Sequence, residues 1–159
     1  MQTEDKLTLH DAHLKFAKEA NGKAWQLLEK HERSAAEDDE LLEAVYASNY
    51  HWRSIGTAVN AQRGEWMLAH VYGILREVKP ALKHARRCLD LTTELKDRME
   101  DFDIAYGYEG MARALALSGQ QDEARKYKAL AQAAGEAIHD PEDQEIFLGD
   151  ITGGEWYGV

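Results

Sequence analysis

Apolar residues along this chain recur every three or four positions, and alternating β-branched runs between turn dipeptides are nearly absent. That spacing predicts helices throughout. Thr8 followed by Asp11 is a capping-box pattern, opening a helix expected to run to about Arg33 with Gly22 weakening its middle. The acidic stretch AEDDE suits the start of a second helix reaching about Val59, because carboxylates favour the positive end of the helix dipole. A third is expected from about Gly64 to Arg76. Lys79–Pro80 opens a fourth, since proline is tolerated in a first helical turn. The fifth is placed from about Arg98 to Ser118, where Gly119 breaks it, and the sixth from about Asp122 to Ile138. DPEDQEIFLGD reads as one short helix before a glycine-rich tail, TGGEWYGV. Six to seven helices joined by short turns imply an all-α fold of antiparallel neighbours, taken as one domain over residues 1–159.

The second helix carries apolar or small residues on several sides. Leu41, Val45, Ser48, Trp52, Ile55 and Val59 form a core stripe in which Trp52 is a packing anchor. Ala44, Ala47, His51, Ser54 and Ala58 make a second stripe suited to close helix approach, so the helix is expected to be central. A third reads Leu42, Tyr46, Asn49, Arg53 and Asn60. Its Tyr46, Asn49 and Arg53 either satisfy one another in packing or line a groove, where an arginine fork matches a carboxylate.

Sliding the chain against itself by 43 residues brings Leu68–Ala69 onto Met111–Ala112, Tyr72 onto Leu115, Ala81 onto Ala124 and Cys88 onto Ala131. Each block is a helix pair that cannot bury its apolar face alone, so stacking is expected. The later block, AYGYEGMARALALSGQQDEARKYKALAQAAGE, resembles a tetratricopeptide repeat: Tyr108 as opening aromatic, Met111–Ala112 as the aliphatic-small pair, Leu115, Gly119 at the turn, then Ala124 and Ala131. Lys128 stands where a large apolar residue is usual, and the closing proline is missing. The earlier block has Trp66 one place late and Arg76 at the turn, and the offset exceeds the family's usual period. The likeness covers about residues 63–136 and is to a stand-alone bacterial protein of this kind. It implies a right-handed stack of three antiparallel helix pairs that binds protein or peptide and supplies no catalytic residues. The first helix of each pair would line the concave face, which selects Arg63, Trp66, His70, Tyr106, Glu109 and Arg113.

Composition narrows the classes. A net charge of −10 opposes duplex nucleic acid as a partner, and the basic face of Lys79, Lys83, Arg86 and Arg87 reads as a solvated helix surface. One cysteine, Cys88, cannot pair within the chain and falls on a packing stripe with Ala81, Ala85 and Leu91. No segment has signal-peptide or membrane-spanning length, so the expectation is a cytoplasmic protein without a membrane partner. No phosphate loop, dinucleotide fingerprint or nucleophile elbow is present, and no cofactor is expected. Asp101 and Asp103 read as exposed turn charges. The competing class is a helical-bundle metal-dependent enzyme holding an ion on His13, His51 and His70, similar in outline to damage-inducible three-histidine bundles. Finally, Phe147, Ile151, Trp156 and Tyr157 are too apolar for a solvated terminus. They predict a tail docked on the Arg63–Trp66–His70 wall or exchanged between two copies in a homodimer.

Overall fold

The structure, a computed structural model, describes residues 6–159, and every regular element among them is helical. No described helix is long and apolar enough to cross a membrane. The chain groups into two compact units, one up to Ala61 and one from Gln62 to Val159.

In the first unit, α1 (Leu9–Leu28) starts where expected: the Thr8 hydroxyl accepts the Asp11 N–H. It stops short of Arg33, because Ser34 adopts an extended backbone and closes a capping box with Glu37 that starts α2 (Ala35–Ile55). Arg33 instead spans the turn, donating to the Leu27 carbonyl and to Asp38. The two helices pack through Ala17, Ala24 and Leu27 against Leu41, Ala44, Val45 and Ser48, where small side chains permit close approach. The buried Ser48 hydroxyl donates to the Ala17 carbonyl at 2.9 Å.

Two expectations about α2 are corrected. It ends at Ile55, and α3 (Ala58–Ile74) begins six residues before the expected Gly64. The Asn60 side-chain oxygen accepts both the N–H and the hydroxyl of Thr57, so Thr57-x-x-Asn60 initiates a helix at a place read as helix interior. Asn60 and Val59 therefore belong to no stripe of α2. Nor is α2 wrapped on all sides: Tyr46, Ala47, Tyr50, Arg53 and Ser54 are exposed, and Trp52 is only half-buried. The apolar stripe is present, but its buried part against α1 is confined to Leu41–Ser48, and beyond it His51 meets α1 as a half-buried ring.

The second unit contains most of α3, followed by α4 (Val78–Glu94), a 3-10 turn at Lys96–Arg98, α5 (Asp101–Leu117), α6 (Gln121–Glu136) and α7 (Pro141–Thr152). Asp101 and Leu117 lie 43 residues after Ala58 and Ile74, and Gln121 lies 43 after Val78. The pairs α3–α4 and α5–α6 therefore share three of four boundaries, and the last differs by one residue. Their turns match as well. Arg76 and Gly119 both take left-handed backbones (φ 60° and 82°), and the Glu77→Tyr72 and Gln120→Leu115 backbone bonds close each turn in the same way. Ala69, Ala81, Ala85, Met111, Ala114, Leu115 and Ala124 form one core cluster, and Ala105, Ala131, Ile138, Phe147 and Ile151 form another. Cys88 is buried as expected, with Thr92 and His84 rather than Leu91 completing its stripe.

α7 covers α5 and α6. Asp140 caps it by accepting from Glu142 and Asp143, and Pro141 sits in its first turn. Phe147 reaches fully into the core, onto the buried face of Gly135, where a Cβ would collide with its ring.

Candidate functional site

Six of the residues selected from the sequence converge in the second unit. Trp66 and His70, one turn apart on α3, stack with centroids 4.8 Å apart and planes at 12°. Tyr106 on α5 meets the Trp66 indole edge-on at 5.3 Å. The indole N–H donates to Glu109 Oε2 at 2.9 Å, while Glu109 Oε1 accepts from Arg113 Nε at 2.5 Å. Glu109 is 3% exposed, so both carboxylate oxygens are satisfied inside the protein, as a buried charge requires. Arg63 forms a fork with Asp103, Nε to Oδ1 at 2.8 Å and the second nitrogen to Oδ2 at 3.1 Å, and lies over the Phe102 ring.

Asp103 is thereby corrected from an exposed turn charge to a buried one, 2% exposed, which also accepts the Glu100 N–H at the start of α5. Asp101 is half-buried and accepts from the His139 backbone, which holds its carboxyl below the usual range. Beneath the wall, the buried Gln62 amide donates to Thr92 Oγ1 and to the Asp103 carbonyl, both at 3.0 Å.

The C-terminal segment completes the arrangement. One Arg113 nitrogen donates to the carbonyls of Asp150 and Gly153 at 2.8 and 2.9 Å, and the other to the Glu155 carbonyl at 3.3 Å. Its guanidinium lies 4.1 Å from the centre of the Trp156 ring, and Lys128 Nζ lies 4.3 Å from the same ring. Lys128 also donates to the Val159 carbonyl and Gln121 to that of Tyr157, which accounts for a lysine at a position where an apolar residue was expected. The tail docks, then, but on Arg113, Gln121 and Lys128 with Glu155 reaching Arg76, rather than on Arg63, Trp66 and His70. Tyr106 donates to Asp150 at 2.5 Å; burial first, and that carboxylate second, raise its hydroxyl pKa. Burial also lowers the His70 pKa, outweighing the nearby Glu109 and Asp150 carboxylates. Cys88 is pushed up to about 12 by desolvation, a buried thiol rather than a nucleophile.

Tyr46, Asn49 and Arg53 lie in the first unit on α2, with Tyr46 and Arg53 exposed and Asn49 half-buried. The histidines of the metal reading fall differently. His13 and His51 meet directly, Nδ1 to Nδ1 at 2.9 Å, whereas His70 is committed to the Trp66 stack. Among the described residues no group of three or more His, Cys, Asp or Glu is placed to hold a metal ion.

Sequence reasoning missed Asp150, Gln62 and the pair Glu65–His84, joined at 2.6 Å. The last was within reach: 43 residues later stand Tyr108 and Tyr127, which also face each other. Comparison with protein-family models, curated proteins and solved structures gives no match to this chain.

Proposed function

We propose that this protein is a tetratricopeptide-like interaction module, a right-handed stack of helix pairs without catalytic activity. It binds an extended segment of a partner protein on the wall formed by α3 and α5. The shared boundaries and turns of α3–α4 and α5–α6 support the repeat reading. One observation carries the functional reading. The chain's own residues 153–159 already lie across the Arg113 end of this wall and onto α6 as a bound peptide would, with backbone carbonyls held by Arg113 of α5 and by Gln121 and Lys128 of α6 and an indole against two cations. Backbone carbonyls supply affinity without regard to sequence, while the Trp156 seat supplies selectivity for an aromatic side chain.

Removing residues 153–159 should open the seat. A fluorescein-labelled peptide of sequence DITGGEWYGV is expected to bind the shortened chain with micromolar affinity and to bind the full chain at least tenfold more weakly. Arg113→Ala in the shortened chain should abolish binding. A folded, shortened chain that ignores the peptide would refute the reading.

A further inference from the structure

In the first unit, His13 of α1 and His51 of α2 bring their Nδ1 atoms to 2.9 Å. Both rings are half-buried, with centroids 5.1 Å apart, and Phe16 and Tyr50 pack against His51 at 5.5 and 5.3 Å. The helices that carry them are fixed by the Ala17–Ser48 contact one turn away, so the nitrogens are held by the fold rather than by chance rotamers. At this separation one Nδ1 donates and the other accepts; two lone pairs facing each other need a proton, or another cation, between them.

A metal ion can take that place. Imidazole nitrogens bind first-row divalent ions at about 2.0–2.1 Å, so two nitrogens 2.9 Å apart subtend about 90° at a shared ion. That is the cis angle of a tetragonal or octahedral centre and is narrower than the tetrahedral angle zinc prefers. We propose that His13 and His51 form a two-nitrogen chelate for a tetragonal divalent cation of the copper(II) or nickel(II) class, which ties α1 to α2. Among the described residues no third His, Cys, Asp or Glu is placed to join them, so water fills the remaining positions, and affinity is that of an open site. Coordination through both Nδ1 atoms requires each neutral ring to carry its proton on Nε2. The donor ring therefore gives up its Nδ1 proton and takes one from solvent at Nε2, with no net release.

The test is titration of the full chain with copper(II) alone and, separately, nickel(II) alone, followed by calorimetry and electron paramagnetic resonance. One equivalent should bind with micromolar affinity and a two-nitrogen spectrum, and His13→Gln and His51→Gln should each weaken binding at least tenfold. His10→Gln should leave it unchanged. Loss with His10→Gln but not with His51→Gln would instead assign a chelate along α1 (His10 lies three residues before His13) and overturn the proposal. Should either glutamine variant fail to fold, histidine-selective NMR of the unmodified chain decides. Paramagnetic broadening must centre on His13 and His51, and broadening elsewhere, or no stoichiometric binding, refutes the site.

Discussion

The pairs α3–α4 and α5–α6 share a frame and fill it with opposite chemistry. Where the first pair joins Glu65 to His84, the second joins Tyr108 to Tyr127; where the first holds Gln62 against Thr92, the second has Ala105 and Gly135. Trp66 and its equivalent Glu109 do not merely correspond but bond to each other across the pairs. Corresponding positions within a shared helix frame thus hold polar contacts in one pair and aromatic or small residues in the other. What differs is the covering element: Phe147 of α7 occupies the space that glycine leaves at position 135. Small residues fix how closely helices approach, and the neighbours decide what fills the rest.

The apolar side of the contrast should be the costlier to disturb. Phe147→Ala is expected to lose about 3–5 kcal/mol, since the ring is fully buried and leaves a cavity over Gly135. Gly135→Val should destabilise by a comparable mechanism of opposite sign in volume. Denaturant midpoints measure both, and an unshifted midpoint for Phe147→Ala would remove α7 from the core.

The polar side should be next. Gln62→Leu deprives Thr92 and the Asp103 carbonyl of a donor, costing about 1–3 kcal/mol by chemical denaturation. A variant as stable as the parent would mean the first pair accepts an apolar interior as readily as the second.

The two turns offer a finer comparison. A left-handed backbone costs an ordinary residue about 1 kcal/mol and glycine nothing, so Gly119→Ala should destabilise by about that much. Arg76→Gly should stabilise by somewhat less, because the exposed pair with Glu155 is lost. Equal signs for the two substitutions would break the equivalence of the turns.

The smallest effect concerns His70, which faces Trp66 where its equivalent Arg113 faces Trp156. Its pKa is lowered by burial from an ordinary value near 6.5, so the unfolded chain takes the proton first. The stability linked to it is complete above pH 6.5 and falls as pH drops towards the folded value. His70→Gln should therefore flatten the dependence of melting temperature on pH between about 7 and 5. An unchanged slope would place the titration elsewhere.

Much of this was legible in residue order. Helix type, the Thr8 and Pro80 starts, the Gly119 stop and the correspondence between Ala81 and Ala124 follow from local preferences: caps, left-handed turns and the 3.6-residue period act over a few residues and need no neighbours. The Thr57–Asn60 start was misplaced because apolar periodicity runs through it, and only the side-chain bond distinguishes a new helix from a continuing one. Which way the stripes point was decided by tertiary structure alone. Trp52 has the spacing of a core residue and is half-exposed, while Glu109 and Asp103 have the charge of surface residues and are buried. Burial of a charge depends on donors contributed from distant positions, Trp66 to Glu109 and Arg63 to Asp103, and periodicity carries no record of which distant donors will arrive.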